Sequence, residues 1–357
     1  MMLAAAEYCS KVLADLSLDA FVFFDLKNIR YCCDFTGSDG VYICGSQDDW
    51  FLSDSRYQEQ ARAEVRAKHK VCYQNKFDAI LEILVAQKFT RIGFEADALC
   101  FSQWQELSKR SEAPLEWVAV AEEIRPLRGI KTEAEIKLLQ QAADLNALAF
   151  TEIEPLIRPG ISEKALALEL EFALRRLGGE ERAFDFIVAS GPRGALPHGV
   201  ASDRVLKAGE LVTVDFGTRV AGYHSDETVT LGLGEVSGDL RDIFDVVLEA
   251  HDLAVSYAAP GVGLAELDAV AREHIDAAGF GEYFGHGLGH GVGLDIHEYP
   301  TLSGRSQDSL QEGMVVTIEP GVYLPGRGGV RIEDTVVVTA TGCRKLTHIP
   351  KKYRSLG

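Results

Sequence analysis

The sequence has little of what a membrane protein or a nucleic-acid-binding protein needs. No stretch approaches the ~20 consecutive apolar residues of a membrane-spanning helix. Basic residues are few, because 36 Lys and Arg stand against 54 Asp and Glu and give a formal net charge of -18 at pH 7. Such a charge repels phosphate backbones and anionic lipids. We therefore expect neither nucleic acid nor a membrane as a partner.

Cysteine is scarce and is never paired in sequence. The seven cysteines are odd in number, scattered, and never spaced as Cys-x-x-Cys, so we expect reduced and mostly buried thiols. Cys32 and Cys33 are adjacent, and we interpret them as ordinary thiols at the end of a strand rather than as a redox pair. The first residues lack a basic segment followed by a long apolar run, which predicts a cytoplasmic protein.

The chain is long enough for two domains. Its 357 residues exceed the size at which a single core usually stops growing. The first part alternates short apolar runs, such as residues 20–24, with helical patterns. Residues 124–131 contain a proline, a glycine and a basic cluster, and Thr132 then opens the capping pattern TEAE before a long helix. We place the boundary there, between an N-terminal α/β domain of residues 1–128 and a C-terminal domain of residues 129–357.

The C-terminal domain repeats itself. The helical segment PGISEKALALELEFALRRLG, which begins at Pro159, resembles PGVGLAELDAVAREHIDAAG, which begins at Pro260. Further on, KAGELVTVDFG resembles QEGMVVTIEPG at a similar offset and places Asp215 on Glu319. A helix followed by β-rich segments therefore occurs twice. This pattern predicts a mixed α/β (α+β) fold with two similar halves related by an approximate two-fold axis.

Four acids lie on or beside predicted strands of these halves. Asp215 ends the strand-like VTVDF, and Asp226 begins the next strand, so a hairpin would bring the two together. The second half repeats the arrangement with Glu319 and Glu333 on predicted strands. Like-charged neighbours raise each other's pKa, and a pair of divalent cations would compensate them. Taken singly each acid is typical of a solvated surface, but the joint pattern indicates a two-metal hydrolase site.

A glycine-rich segment adds histidines to this pattern. FGHGLGHGVGLDIHE, residues 284–298, contains three histidines. Glycine lets the backbone approach a ligand closely, and neutral imidazole suits transition metals. The segment matches neither the phosphate loop nor GxGxxG, and the zinc motif HExxH is absent from it. A glycine-rich turn with histidines in surface hydrogen bonds is the alternative interpretation.

On these residues the C-terminal domain resembles the pita-bread metallopeptidases, and the whole chain is similar to the family of Xaa-Pro dipeptidases (prolidases) and aminopeptidases P. The segments NIRYCCDFTGSDG and SRYQEQA are similar to the creatinase-like N-terminal domain of such enzymes. The resemblance implies a dinuclear site with Asp226 and Glu333 as bridging ligands. Its full set of ligands would be Asp215, Asp226, His290, Glu319 and Glu333.

The same resemblance implies roles for three further residues. His198 and His297 would line the substrate pocket and hydrogen-bond the scissile carbonyl, and Arg331 would support the site. Glu319 would also act as the proton shuttle. As alternatives, His198 would only brace a turn beside its proline, and Arg331 would only neutralise a ligand carboxylate.

One residue departs from the family pattern. An apolar side chain commonly follows the bridging aspartate in the family, whereas here Glu227 follows Asp226. This additional carboxylate leaves the metal preference and the local electrostatics open.

The resemblance implies an exopeptidase that hydrolyses the bond between an N-terminal residue and a following proline, and that acts on proline-containing peptides as a homodimer. Oxygen-rich ligation with one imidazole favours Mn²⁺ or Co²⁺ and leaves Zn²⁺ open. The alternatives are a methionine aminopeptidase, which lacks an N-terminal domain of this type, and a creatine amidinohydrolase, which lacks the ligands. A non-catalytic peptide-binding protein of the same fold would have lost some of them. The sequence does not distinguish a dipeptidase from an aminopeptidase of longer peptides.

Overall fold

The computed structural model describes residues 2–111 and 114–356. The chain divides into two compact units, Met1–Arg128 and Gly129–Gly357. Both contain helices and mixed sheets, as the predicted α/β class requires. Within the described residues, no helix is both long enough and apolar enough to cross a bilayer.

The first unit is built on a six-stranded sheet in the order β4-β3-β2-β1-β5-β6. Its strands are β1 (Ala20–Phe23), β2 (Val41–Gly45), β3 (Asp49–Ser53), β4 (His69–Cys72), β5 (Arg91–Glu95) and β6 (Glu116–Val120). Its helices are α1 (Met2–Asp15), α2 (Leu26–Cys33), α3 (Gln58–Glu64), α4 (Lys76–Ala86) and α5 (Phe101–Arg110). The central strand β1 is wholly buried, and it pairs antiparallel with β2 and parallel with β5.

The adjacent cysteines lie in a helix. Cys32 and Cys33 end α2, so their predicted place at the end of a strand is wrong. Asp25 caps the start of this helix by accepting two backbone N–H bonds, and Asp34 ends it in the left-handed conformation. Both thiols are buried, and burial raises the pKa of Cys33 to about 12. The thiol therefore stays protonated at neutral pH.

The second unit combines helices with two larger sheets and two hairpins. Its helices are α6 (Glu133–Ile153), α7 (Glu163–Arg176), α8 (Gly238–Tyr257) and α9 (Leu264–Ala277). Its first strands are β7 (Ile187–Ser190), β8 (Leu211–Phe216), β9 (Arg219–Val220), β10 (Tyr223–His224) and β11 (Glu227–Leu233). The later strands are β12 (Gly289–Gly291), β13 (Glu298–Leu302), β14 (Val315–Ile318), β15 (Gly321–Leu324), β16 (Gly328–Arg331), β17 (Asp334–Thr339), β18 (Gly342–Lys345) and β19 (Ser355–Leu356).

Helix α6 begins where the sequence predicts. The Thr132 side chain accepts a hydrogen bond from the backbone of Glu135, and the Glu135 carboxylate accepts one from the backbone of Thr132. This reciprocal capping satisfies N–H groups that the first helical turn would leave without partners. The capping pattern in the sequence therefore marks a real helix start.

The two repeated segments fold alike. Helix α7 precedes a sheet in the order β19-β11-β8-β7, and helix α9 precedes a sheet in the order β13-β12-β14-β17-β18. Each helix is followed by a glycine in the left-handed region, Gly178 at φ 107° and Gly279 at φ 86°. In each half an antiparallel pair of buried strands lies beside the acids, β8 with β11 and β14 with β17. The halves are therefore alike in both helix termination and strand pairing.

Candidate active site

Three of the predicted ligands converge in the interior of the second unit. Asp215, Asp226 and Glu333 each offer a carboxylate oxygen within 4.8 Å of the others. Asp215 lies near the end of β8, and Asp226 directly precedes β11. All three are at least nine-tenths buried. The strand pair β8 and β11 thus delivers the two aspartates side by side, as the sequence predicts.

The two glutamates lie at strand ends rather than within strands. Glu319 directly follows β14, and Glu333 directly precedes β17, so their predicted placement on strands is wrong by one position. The chain leaves the β14 and β17 ladder here because it turns into the hairpin of β15 and β16. Thr317, at the end of β14, donates its hydroxyl to Glu319 Oε1 over 3.1 Å and orients that carboxylate.

His290 reaches the acids from β12. Its Nε2 lies 3.2 Å from Glu319 Oε1 and 3.6 Å from Asp226 Oδ2. Its Nδ1 lies 3.1 Å from the carbonyl oxygen of Gly291, which can only accept, so Nδ1 carries a proton. The imidazole is therefore oriented with Nε2 toward the carboxylates.

The glycines beside His290 are required by close packing. A Cβ atom on Gly289 would lie 2.0 Å from the Thr317 carbonyl oxygen, and one on Gly291 would lie 2.3 Å from that of Tyr299. Only glycine lets β12 fit between its two neighbouring strands at these positions. The part of the glycine-rich segment that carries His290 is thus a strand of the site and not a surface turn.

The acids have unusual proton affinities. Burial raises the pKa of Asp226 well above its usual value, and the negative charges of Glu333 and Asp215 raise it further. Burial and the charges of Glu319 and Asp215 raise the pKa of Glu333 in the same way. Burial would also raise the pKa of Glu319, but the hydrogen bond and charge of His290 outweigh it and hold that pKa at about 2. Without added positive charge, the site therefore holds protons on some of its acids.

A buried arginine forms an ion pair with Asp215. Arg331 Nη2 lies 2.6 Å from Asp215 Oδ2. Its Nη1 donates to the Tyr323 hydroxyl over 2.9 Å and to the carbonyl oxygen of Pro197 over 3.2 Å. The guanidinium therefore holds the carboxylate and also the loop that leads to His198.

Two residues of this region were missed in the sequence. The Tyr323 hydroxyl lies 2.9 Å from His286 Nε2, and His286 Nδ1 lies 2.8 Å from the carbonyl oxygen of Gly287. The carbonyl can only accept, so Nδ1–H donates to it, and the tyrosine donates to Nε2. His286 could have been inferred from its place in the histidine-rich segment. Tyr323 has no comparable signal, because its role depends on how the hairpin of β15 and β16 packs.

The two histidines predicted to contact substrate are both exposed. The ring of His297 lies edge-on to that of His290, with centroids 4.2 Å apart. Burial of part of the ring and the charge of His290 lower the pKa of His297. It is therefore neutral at pH 7 and carries one N–H donor. His198 lies in the loop between β7 and β8.

A single buried carboxylate closes the loop that carries His198. Glu163 Oε1 accepts hydrogen bonds from the backbone and the hydroxyl of Ser190, at 2.8 and 2.7 Å. Its Oε2 accepts those of Ser202, at 3.1 and 2.6 Å, and also contacts the guanidinium of Arg193. Glu163 is fully buried. Both ends of the 190–202 loop are thus fixed to the first turn of α7.

Glu227, the departure from the family pattern, does not face the site. It is fully buried, and its Oε1 lies 2.6 Å from Lys351 Nζ. The next residue, Thr228, faces the site and donates its hydroxyl to Glu333 Oε2 over 2.6 Å. Successive side chains of a strand alternate between its faces. The additional carboxylate therefore adds no ligand to the site.

The donor set fits divalent cations. Oxygen atoms of carboxylates and one imidazole nitrogen are ligands that Mn²⁺, Co²⁺ and Zn²⁺ accept. Asp215 Oδ1 is buried and has no hydrogen-bond partner among the described residues, although it belongs to the group of clustered acids. An uncompensated buried carboxylate oxygen costs free energy. A cation at this place would compensate it and would relieve the repulsion among the acids.

A buried cluster of acids beside an imidazole, on this fold, defines a metal-dependent hydrolase. The profile of Metallopeptidase family M24 matches residues 137–340, and that of the Creatinase/Prolidase N-terminal domain matches residues 7–130. The chain belongs to this metallopeptidase family, as its resemblance in sequence predicts.

Relatives and solved structures match the chain over nearly its whole length. An Xaa-Pro dipeptidase of Pyrococcus furiosus is 39% identical over 94% of this chain and 95% of its own. The structure of an Xaa-Pro dipeptidase from Bacillus anthracis superposes with a TM-score of 0.97, at 39% identity and full coverage of both chains. That of an X-Pro aminopeptidase from Thermotoga maritima gives a TM-score of 0.88, at 36% identity, over 97% of this chain and 99% of its own.

Proposed function

We propose that the protein is an exopeptidase that depends on two divalent metal ions and hydrolyses the bond between an N-terminal residue and a following proline. The observation that carries the proposal is the convergence of three buried carboxylates within 4.8 Å of one another, in a chain of the M24 family. The names of the relatives support the choice of proline as the second residue. His290 Nε2 lies 3.6 Å from Asp226 Oδ2 and 3.2 Å from Glu319 Oε1, which supports these two residues as further ligands.

The ions would be held by acids from both halves and one imidazole. Asp226 and Glu333 would bridge them, and the other ligands would be Asp215, His290 and Glu319. Oxygen-rich ligation favours Mn²⁺, and Co²⁺ or Zn²⁺ would also fit. Bound there, two divalent ions would lower the pKa of a water toward neutrality and polarise the scissile carbonyl.

Glu319 would move the proton. Without metal, the charge of His290 and its hydrogen bond hold the pKa of this carboxylate at about 2. With metal bound, His290 would be a neutral ligand, and the positive charge of the ions would keep Glu319 ionised, which is the form that accepts a proton from the attacking water. Its Oε1 faces His290 and the Thr317 hydroxyl, so Oε2 would carry the proton to the proline nitrogen. Protonation of the proline nitrogen lets the bond between this nitrogen and the carbonyl carbon break, so that the proline residue leaves as an amine.

His198 and His297 would hold the carbonyl. Both are exposed and belong to segments that flank the acids, and each offers a ring N–H to the oxygen of the scissile bond. Such donors stabilise the negative charge that develops on that oxygen. Arg331 would fix Asp215 and the loop of His198 rather than contact the reacting atoms.

Proline selectivity follows from hydrogen-bonding needs. A secondary amide in place of the proline amide would bring an N–H that the site leaves unpaired, at a cost of about 1 to 3 kcal/mol. This range corresponds to roughly 5- to 150-fold discrimination at 25 °C. The homodimer and the cytoplasmic location stay predictions.

The test compares four substrates with purified enzyme in Mn²⁺. Ala-Pro should be cleaved at least about fivefold faster, in kcat/KM, than Ala-Ala. N-acetyl-Ala-Pro should not be cleaved, since an exopeptidase of this kind would require a free amino end. Equal rates on the first two would refute proline selectivity. A parallel preparation of Glu319→Gln controls for contaminating host peptidases.

The fourth substrate, Ala-Pro-Ala, decides between the two names that the relatives carry. Cleavage of Ala-Pro alone identifies a dipeptidase, and efficient release of Ala from the tripeptide identifies an aminopeptidase.

A further inference from the structure

Two acids behind the site share one buried cation. Glu227 directly follows Asp226, and Asp334 directly follows Glu333. Consecutive residues of extended chain project to opposite faces. The first acid of each pair faces the site, and the second faces away from it. Lys351 Nζ lies 2.6 Å from Glu227 Oε1 and 3.5 Å from Asp334 Oδ1.

The three charged groups are withdrawn from water. The side chains of Lys351, Glu227 and Asp334 are 6%, 0% and 2% exposed. The backbone N–H of Ile349 donates to Glu227 Oε1 over 3.0 Å, and the Thr347 hydroxyl donates to Asp334 Oδ1 over 2.6 Å. Buried charges are tolerated only when they are paired and hydrogen-bonded in this way. The lysine is therefore held at one position and in one ionised state.

The two acids occupy equivalent positions in the duplicated halves. The text Asp-Glu-Thr-Val at 226–229 matches Glu-Asp-Thr-Val at 333–336. Glu227 begins β11 of one sheet, and Asp334 begins β17 of the other. Lys351 lies outside both repeated segments. One cation thus links corresponding points of two sheets, directly behind the acids that both sheets send into the site.

We propose that Lys351 is a positioning residue that fixes the separation of Asp226 and Glu333, the acids proposed to bridge the metal ions. It acts through Glu227 and Asp334 and contacts no reacting atom. The inference rests on the proposed function only in that these two acids bind metal. Proline selectivity has no part in it.

The test uses a double variant that keeps the fold. Glu227→Met combined with Lys351→Met removes both partners of a buried pair, an exchange that is often neutral or stabilising. Asp334 retains Thr347 and a second cation, because Lys345 Nζ lies 2.6 Å from its Oδ2. Lys345→Met is the matched control, since it removes a cation from Asp334 but leaves the link to Glu227.

Metal-free proteins are titrated with Mn²⁺ by calorimetry, and their thermal unfolding is measured in parallel. We expect the double variant to unfold near the parent temperature but to bind Mn²⁺ about 10- to 100-fold more weakly, as loss of supporting contacts to metal ligands does. Lys345→Met should stay within about twofold of the parent. A merely structural role would change the unfolding temperature and leave the affinity unchanged.

Parental Mn²⁺ affinity in a folded double variant would overturn the proposal. If the double variant does not fold, Glu227→Gln decides, because it keeps the shape of the side chain and the lysine. It should weaken Mn²⁺ binding more than Lys345→Met does, and equal affinities would again overturn the proposal. A parent that binds one equivalent of Mn²⁺ contradicts the two-ion part of the proposed function, while the ratio of affinities still decides the role of Lys351.

Discussion

The two halves of the second unit contribute acids equally but other groups unequally. The first half brings Asp215 and Asp226, and the second half brings Glu319 and Glu333. The arginine and the imidazole that contact these acids, Arg331 and His290, both come from the second half.

The two groups also face different acids. Arg331 faces Asp215, whereas His290 faces Glu319 and Asp226. Duplication thus explains a nearly symmetric set of carboxylates. The residues that only the second half supplies make their surroundings unequal, because a permanent cation lies beside Asp215 and an imidazole lies beside Glu319 and Asp226.

The largest expected effect separates two equivalent acids. Glu319→Gln should lower kcat by at least ~10²-fold at saturating Mn²⁺, because it would remove the proposed proton carrier and one proposed ligand. Asp215→Asn should act chiefly on metal affinity, so that excess Mn²⁺ recovers part of its kcat. Steady-state kinetics across a Mn²⁺ series measure both. The opposite order would mean that the halves have exchanged roles.

The next effect separates two histidines of the second half. His297→Ala should cost roughly 10²-fold in kcat without comparable loss of metal, because it removes a donor to the carbonyl. His290→Ala should lose metal, since it would remove a proposed ligand. Elemental analysis after reconstitution, where the parent should approach two equivalents of Mn²⁺, distinguishes them. Metal loss in His297→Ala but not in His290→Ala would show that the two assignments are reversed.

A smaller effect concerns protons held by acids from both halves. Burial raises the pKa of Asp226 and of Glu333, so the metal-free protein keeps protons on these groups to a higher pH than usual. Metal binding requires both to ionise. Affinity for Mn²⁺ should therefore fall as the pH is lowered, by about tenfold per pH unit for each proton expelled.

Calorimetric titrations in two buffers of different ionisation enthalpy count those protons. Binding heats that do not depend on the buffer would contradict the expectation.

The smallest effect tests whether the halves are alike away from the site. Gly178 and Gly279 follow equivalent helices at positive φ, and a Cβ on either would meet no neighbour within 4 Å. Exchange of each for alanine should cost about 1 kcal/mol in the free energy of unfolding, from backbone strain alone. Gly238→Ala is the control, because that glycine begins α8 and is also uncrowded but has no positive φ. It should be neutral or slightly stabilising. Urea unfolding measures these changes. Unequal losses of unfolding free energy at Gly178 and Gly279 would contradict the similarity of the two halves.

The features that the sequence predicted correctly depend only on residues that are close together in the chain. The capping of α6 by Thr132, the strand that carries Asp215, and the glycine-flanked His290 could all be read in the sequence, because each follows from spacing and residue type. The duplicated segments were visible for the same reason. The mixed α/β class and the family followed from these features.

Other features depend on contacts between distant segments. Nothing near Tyr323 indicates that its hydroxyl lies between Arg331 and His286. The sequence left open how Glu227 affects the metal site, because its partner Lys351 lies 124 positions further along the chain. The prediction that Cys32 and Cys33 end a strand was wrong, because two adjacent apolar residues do not distinguish a helix from a strand. The N-cap at Asp25 starts the helix that ends with these cysteines.

The carboxylate of Glu163 has a consequence for how this enzyme can change. It accepts hydrogen bonds from Ser190 and Ser202, the two ends of the loop that carries His198. These contacts hold the two ends together whatever the length of the loop between them. Doubling the length of a flexible loop costs only about 0.6 kcal/mol of closure entropy. Insertions around His198 can therefore reshape the proposed substrate pocket while strands β7 and β8 stay in register. Substrate range can therefore diverge through changes in the 190–202 loop while the clustered acids remain unchanged.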